Sequence, residues 1–253
     1  MKASIKLNGS IVTVDLSRNY DLSIPLQASE ENPLVWGVDQ PIIKPVQKGD
    51  WIGKVTEGAS VNFNSIQFSP HGHGTHTECV GHITPEFHSI NQLLKEFVFC
   101  AEVISVVPEN FGDDYRISKK QLVSALKDAR PTALIIRTLP NTERKTKRNY
   151  TGTNWAYLEE SAAAHLAEIN VKHLLIDLPS VDKEDDGGGL LAHKAFWNYP
   201  EEPRYDCTIT ELIFVPNEVE DGPYLLNLLI APFESDASPS KPILYPFMKK
   251  SDK

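Results

Sequence analysis

The sequence predicts an α/β fold with a mixed sheet, and three observations lead to this prediction. The first hundred residues contain several segments of alternating apolar and polar side chains, a pattern typical of β-strands. The middle of the chain alternates helical and short apolar segments, an order that favours parallel strands joined by right-handed crossovers. More apolar segments follow residue 206. No repeat or low-complexity linker interrupts the chain, so we expect one domain over residues 1–253.

The first half of the chain carries three segments that we predict to be β structure. Residues 3–17 alternate on either side of Asn8 and Gly9, a pair typical of a two-residue hairpin turn. Residues 51–70 also alternate and contain a glycine where a turn is expected. Residues 97–107 are mostly apolar and rich in β-branched side chains, which indicates a buried strand.

The second half of the chain alternates predicted helices and strands. Residues 118–130 have helical spacing and begin with Ser118, a suitable N-cap, and residues 158–170 are rich in helix-forming residues. Four apolar segments are predicted to be strands, at 132–139, 171–180, 207–219 and 224–233.

Composition and charge exclude several classes of function. The net charge is −9, and the one basic segment, 143–149, is short and is interpreted as a solvated loop. Three scattered cysteines do not form a disulfide framework, which favours the reducing cytoplasm. No segment approaches the length of a membrane span. We therefore expect a cytoplasmic protein that binds a small-molecule substrate and neither nucleic acid nor membrane.

Residues 69–83 concentrate side chains that bind metals. This segment, SPHGHGTHTECVGHI, contains four histidines, a glutamate and a cysteine. On a regular strand His76, Glu78 and His82 would share one face, and Cys79 would point away. Histidine and carboxylate are typical ligands of a catalytic zinc or manganese ion, whereas a structural zinc would favour cysteines. The cluster alone leaves open whether its histidines bind a metal or are ordinary surface and core residues.

The segment GTHTECVGH resembles the motif His-x-Gly-Thr-His-x-Asp-x-Pro-x-His of the cyclase family of metal-dependent hydrolases, which includes bacterial kynurenine formamidase and isatin hydrolase. The resemblance extends over nearly the whole chain, in the family's order, through YDLSIPLQ, LVWGVDQP, LIIRT, LLIDLPSVD, LLAHKAFW followed by TITELIF, and SDASPSKPI. It implies a swivelling β/β/α domain with a mixed sheet. It also implies a homodimer or a higher homo-oligomer.

The resemblance implies roles for particular residues of a metal site. His76 and Glu78 match metal ligands of the motif, although Glu78 stands where the family has aspartate. His193 and Glu211 resemble a second metal histidine and a bridging glutamate, although the segment between them is longer than is usual. The implied cofactor is a divalent metal, zinc or manganese, with one or two ions per chain.

Two further residues match functional positions of the family. His82 stands at the position of the catalytic proton donor and acceptor. Trp36 stands at the position of a substrate-stacking aromatic ring, and simple packing beside a turn is the alternative for this residue. Together these matches predict one catalytic and one substrate-binding residue outside the metal ligands.

The departure from the family that matters most is Gly72, four residues before His76, where the first metal histidine is expected. His71 and His73 flank this glycine, and both have the wrong parity for the ligand face of a regular strand. A β-bulge in this glycine-rich segment would shift the parity and return His71 to the ligand face. We therefore predict His71 as the replacement ligand, with His73 as the alternative.

The resemblance implies hydrolysis of an amide or formamide C–N bond in a small, often aromatic or cyclic, substrate by metal-activated water, as in an arylformamidase. The alternative is a non-catalytic member that binds a metal or a small molecule and has lost a ligand at Gly72. A lyase or cyclising activity is a third option. Fold alone does not decide among these functions.

Overall fold

The computed structural model describes residues 1–7 and 10–248, and strands are its most numerous elements. The strands are β1 (Lys2–Leu7), β2 (Ser10–Asp15), β3 (Tyr20–Asp21), β4 (Ile42–Pro45), β5 (Gln47–Lys48), β6 (Trp51–Ile52), β7 (Asn64–Gln67), β8 (His76–Glu78), β9 (Val98–Val106), β10 (Glu109–Phe111), β11 (Asp114–Ile117), β12 (Ala133–Thr138), β13 (Tyr157–Leu158), β14 (His173–Ile176), β15 (Thr208–Glu211), β16 (Gly222–Ile230) and β17 (Ala237–Pro246). The helices are α1 (Pro70–His73), α2 (Ile90–Leu93), α3 (Lys119–Leu126), α4 (Glu160–Glu168) and α5 (Leu191–Trp197). Short 3₁₀ turns cover Val55–Glu57, Val80–His82 and Glu143–Thr146.

Seven strands form a closed ring in the order β16, β9, β12, β14, β15, β8 and β17, because β17 pairs back with β16. β9, β12, β14 and β15 are parallel to one another, and the remaining contacts around the ring are antiparallel. β3 adds an eighth strand beside β17. The segments that connect the parallel strands contain α3, α4 and α5, as expected for crossovers. The predicted α/β class with a mixed sheet is confirmed.

The central strands are buried on both faces, which explains why they are nearly continuous apolar segments. Leu134 and Ile136 of β12 pack in a cluster that also contains apolar side chains of α3, α4 and α5. Ala133 and Ile135 point to the opposite face and pack in a second cluster, which the ring encloses together with Ile90 of α2. Alternate residues of one strand therefore supply two separate cores.

The structure departs from the sequence prediction at several elements, which include the following. The first helix after residue 118 ends at Leu126 and not at residue 130, because Lys127 adopts a φ of 52°. Helix α5 and strand β17 were not predicted, since α5 follows three glycines and β17 contains prolines at positions 239, 242 and 246. The hairpin of β1 and β2 is confirmed, but its turn at residues 8 and 9 lies outside the described residues. None of the described helices is long and apolar enough to span a bilayer.

Candidate metal centre

Strand β8 places two of the predicted ligands at the centre of the site. It lies between β15 and β17, with His76 opposite Glu211 of β15 and Glu78 opposite Ile209. The side chains of His76 and Glu78 are completely buried. Because Ile209 belongs to the core on the helix side of the sheet, the site lies on this side, where α5 packs. Cys79 points into the core enclosed by the ring, as its odd position predicts.

The predicted β-bulge before His76 is wrong, because residues 70–73 form the single helical turn α1. Pro70 occupies the first turn of α1, where a missing N–H costs nothing. The turn directs His71 to the site, where its Nδ1 lies 3.2 Å from Glu78 Oε2. His73 points away, since its Nδ1 accepts the Ser69 N–H at 2.8 Å and its Nε2 lies 2.7 Å from the Asp39 carbonyl. His71, and not His73, therefore stands beside Glu78.

His82 reaches the site from a turn and not from the strand, which corrects the expectation of one regular strand through residue 82. β8 ends at Glu78, and Val80–His82 form a 3₁₀ turn. A Cβ at Gly81 would collide with the carbonyl of His88, so this tight turn requires glycine. The turn stacks the His82 ring on the His71 ring, with centroids 4.2 Å apart. His82 Nε2 lies 3.8 Å from Glu78 Oε2, and 30% of the side chain is exposed.

The two late residues, His193 and Glu211, converge on the same cluster despite the long segment between them. His193 Nε2 lies 3.0 Å from Glu78 Oε1 and 3.7 Å from Glu211 Oε1. Glu211 Oε2 lies 3.5 Å from His76 Nε2, as their opposite positions on paired strands allow. The Asp182 carboxylate accepts the backbone N–H groups of Ala192 and His193 and thereby fixes the start of α5. The fold thus brings together all five predicted metal ligands.

The histidine rings share one arrangement that suits a metal site. One nitrogen of each ring contacts an acceptor on the outside of the cluster: Asp236 Oδ2 at 2.8 Å for His71, the Gly74 carbonyl at 3.0 Å for His76, and Asp182 Oδ2 at 2.6 Å for His193. The other nitrogen of each ring then faces Glu78 or Glu211. Metal-binding histidines commonly donate their second N–H in this way, which fixes tautomer and orientation.

The atoms that face the middle of the cluster fit a divalent cation. His76 Nε2 and Glu78 Oε2 are buried and form no hydrogen bond within the described structure. Ligand atoms of His71, His76 and Glu78 lie within 4.8 Å of one another, as do those of Glu78, His82 and His193. Histidine nitrogens with carboxylate oxygens are the ligand set of zinc and manganese sites. The residues present therefore could hold such an ion.

The electrostatics of the cluster also favour a cation. Burial alone would raise the pKa of Glu78, but the charge of His82, the hydrogen bond from His193 and the nearby His71 outweigh burial and hold the pKa well below its usual range. Burial likewise lowers the pKa of His71, yet its hydrogen bond to Asp236 and the adjacent Glu78 carboxylate outweigh this effect and raise the pKa to about 10. Buried ionised carboxylates require positive charge beside them, which protons or a metal ion can supply.

Two carboxylates of the site were missed by the sequence analysis. Asp236 Oδ2 contacts both His71 Nε2 at 2.8 Å and His82 Nδ1 at 3.3 Å. Asp182 holds His193, as described above. Both lie in segments that match the family, SDASPSKPI and LLIDLPSVD, and this match was the only signal that could have found them. Their pairing with particular histidines depends on contacts between distant parts of the chain.

Trp36 lies at a turn that borders α1, and its predicted role in substrate binding stays a prediction. Its backbone adopts a φ of 62°, and 45% of its surface is exposed. The ring meets Trp155 edge to face, with centroids 4.9 Å apart. The neighbouring Val35 N–H donates to the Gly72 carbonyl at 3.1 Å, so the turn borders α1. An exposed aromatic ring at this place could contact a substrate.

The chain belongs to the cyclase family, because the model of this family, described as "Putative cyclase", matches residues 20–183. No curated protein sequence matches the chain significantly. The family assignment agrees with the order of segments from YDLSIPLQ onward and with the position of the histidine cluster.

Solved structures of similar fold include several hydrolases. A potential metal-dependent hydrolase with cyclase activity is 17% identical with a TM-score of 0.66, and the match covers 90% of this chain and 97% of that one. A predicted metal-dependent hydrolase from Bacillus stearothermophilus is 18% identical with a TM-score of 0.64, covering 90% and 98%. Isatin hydrolase A from Labrenzia aggregata is 14% identical with a TM-score of 0.68, covering 91% and 94%. These similarities establish a common fold.

Proposed function

We propose that this protein is a metal-dependent hydrolase that cleaves an amide or formamide C–N bond in a small aromatic or cyclic substrate. The observation that carries the proposal is the convergence of three histidine nitrogens on Glu78 and Glu211, with the second nitrogen of each ring held from outside. The isatin hydrolases among the structural neighbours support a cyclic amide or an aryl formamide as the substrate class.

The metal would be bound by the inward atoms of five side chains, those of His71, His76, Glu78, His193 and Glu211. When bound, zinc or manganese supplies a Lewis acid and lowers the pKa of water toward neutrality. Asp182 and Asp236 orient the imidazoles of His193 and His71 by accepting their outward N–H groups.

His82 is the residue that we propose for proton transfer. Its Nε2 is further from Glu78 than the inward nitrogens of His71 and His193, and its ring is partly exposed, so a substrate can approach it. His82 Nδ1 lies 3.3 Å from Asp236 Oδ2, so in the neutral imidazole with its N–H directed to Asp236 the Nε2 lone pair faces the site. This nitrogen can take a proton from the nucleophile and deliver it to the leaving nitrogen.

The test compares two alanine variants within one cluster. We expect His76→Ala to lose the metal, because its inward nitrogen is buried and contacts Glu211. We expect His82→Ala to retain the metal and to lower the turnover rate roughly 10²–10⁴-fold, the range for general acid–base catalysis. Metal is measured by elemental analysis of protein purified without chelator. Turnover is measured on aryl formamides, cyclic amides and aryl esters.

The same experiment distinguishes the alternative function. Loss of metal in His82→Ala with retention in His76→Ala would reverse the two roles. A metal-loaded protein without turnover on any of these substrates would instead favour a non-catalytic member that binds metal or small molecules. The position of His71 beside Glu78 supports the catalytic proposal, because it offers a ligand nitrogen despite the glycine at position 72.

A further inference from the structure

A wide cleft of about 1030 Å³ lies at the ends of β12 and β14, and none of the metal-ligand candidates lines it. Leu139 follows β12, and Asp177 and Leu178 follow β14, so the cleft lies at the carboxyl edge of two parallel strands. Its walls are mostly apolar and include the exposed side chains of Val107, Tyr115 and Leu139. Ligands of α/β proteins commonly bind at this edge, in concave sites with apolar walls and a few polar groups.

The bottom of the cleft is polar, and its groups are already paired. The buried Asp177 carboxylate accepts a hydrogen bond from the Lys145 ammonium at 2.8 Å and another from the Thr138 N–H at 2.9 Å. The same ammonium also donates to the carbonyl and hydroxyl oxygens of Thr138. Lys145 and Asp177 therefore neutralise each other at the bottom of the cleft, and neither offers an unpaired charge to a ligand.

The rim of the cleft is cationic on a protein whose net charge is −9. Arg144, Lys147 and Arg148 line it and are exposed, and Glu143 is the one exposed acidic residue among its lining side chains. Lys147 is paired with Glu31 at 3.0 Å. Within the described part of the chain, neither arginine has a carboxylate within 4.0 Å, and Arg148 lies over the Tyr150 ring at 5.0 Å. Two exposed arginines thus line the cleft without a carboxylate partner in the described part of the chain.

We propose that this cleft binds a small carboxylate with a flat apolar body, at a site separate from the metal centre. The carboxylate would accept hydrogen bonds from Arg144 and Arg148, whose planar guanidinium groups match its geometry. The apolar body would lie along the exposed side chains of Val107, Tyr115 and Leu139. The charge of the rim selects an anion, and the apolar walls select a ligand with little other polarity.

In this proposal the basic segment 143–149 binds the carboxylate of the ligand and is more than a solvated loop. Its 3₁₀ turn, Glu143–Thr146, and Lys145 anchor it to the carboxyl edge of the sheet. The metal-ligand candidates do not line the cleft. Binding in the cleft therefore does not depend on the metal or on the proposed hydrolysis.

The test uses 1-naphthoate as the probe and 1-naphthylmethanol as its neutral counterpart, with binding measured by isothermal titration calorimetry. We expect one 1-naphthoate per chain to bind in the cleft, and the dissociation constant to rise about tenfold or more in the double variant Arg144→Gln/Arg148→Gln. The double variant Arg18→Gln/Arg130→Gln changes net charge equally at exposed arginines outside the cleft and should not alter binding. The neutral alcohol should bind more weakly and equally to all variants.

A third variant tests whether the probe binds in the cleft or at the metal centre. His76→Ala should bind 1-naphthoate as the unmodified protein does. Loss of binding in His76→Ala with retention in Arg144→Gln/Arg148→Gln would place the carboxylate at the metal and overturn the proposal. Absence of binding at millimolar probe would also overturn it. So would a change of oligomeric state in the arginine variant without any change in probe binding, because the cleft would then be an interface between copies of the chain.

Discussion

His71 and His73 are separated by one residue, yet their side chains have opposite environments. The His71 ring lies between two carboxylates, Glu78 and Asp236, and 24% of its side chain is exposed. The His73 ring is buried, and both of its nitrogens are used by the backbone of Ser69 and Asp39. At the residue scale, the direction of each ring within one helical turn separates a candidate metal ligand from a structural histidine.

These environments predict different effects of the same substitution. His71→Ala should weaken zinc binding by more than tenfold, because it removes the nitrogen that faces Glu78. It should cost little stability, because the His71 side chain is only partly buried. His73→Ala should leave zinc binding nearly unchanged and reduce the free energy of unfolding by about 1–3 kcal/mol, because a buried ring is removed and two backbone groups lose their hydrogen-bond partner. Zinc affinity is measured by competition with a chelator, and stability by urea denaturation. Equal losses of zinc affinity in the two variants would contradict the assignment.

Helix α1 depends on a close contact that only glycine permits. The carbonyl of Gly72 accepts a hydrogen bond from the Val35 N–H, and a Cβ at position 72 would lie 2.8 Å from Val38 Cγ2. Gly72 therefore packs the turn that carries Trp36 against the helix that carries His71. At the element scale, the residue that departs from the family motif is required by the packing that positions the replacement histidine.

This packing predicts a steric cost that a second substitution removes. Gly72→Ala should reduce the free energy of unfolding by about 1–3 kcal/mol, the usual cost of overpacking. Val38→Ala in the same chain removes the methyl group that the new Cβ would meet, so the double variant should lose less stability than the two single losses combined. Urea denaturation of all four proteins measures the coupling. Additive losses would show that this contact does not limit residue 72.

The whole molecule is a ring of strands whose enclosed core contains a titratable side chain. His173 of β14 is buried, its ring centroid lies 3.9 Å from that of Phe99, and its Nδ1 contacts Thr208 Oγ1 at 2.9 Å. Burial, together with the charge of Lys172, lowers the pKa of His173 to about 4. At this scale, the closed ring excludes water from a group that would bind a proton near neutral pH if exposed.

The lowered pKa predicts how stability depends on pH. The unfolded chain binds the proton near pH 6.5 and the folded chain only near pH 4, so acidification favours the unfolded state. The contribution of His173 is complete above pH 6.5 and is lost as pH falls to 4, by about 3 kcal/mol. His173→Gln should flatten the dependence of unfolding free energy on pH between 7 and 4, measured by urea denaturation. His165→Gln, on α4, is the control, and an unchanged slope in His173→Gln would contradict the prediction.

The sequence predicts the parts of this protein that depend on local patterns. Apolar segments such as 132–139 identify the buried strands, and the spacing of His76 and Glu78 places them on one strand face. The contact of Asp236 with His71 spans 165 residues and depends on β17 pairing with β8, which no local pattern specifies. Likewise the turn that redirects His82 depends on the His88 carbonyl beside Gly81, a contact of tertiary structure.

Strand β17 pairs with β8 and β3 along one edge and with β16 along the other, and it is the last of the ring strands to leave the ribosome. A nascent chain that has not yet exposed residues 237–246 therefore carries unpaired edges on β8 and β16, which other chains can pair with. Asp236, which directly precedes β17, is also held beside His71 only when β17 pairs with β8. Closure of the ring consequently follows the synthesis of the other six strands, and the complete set of side chains around Glu78 forms only after β17 has been translated.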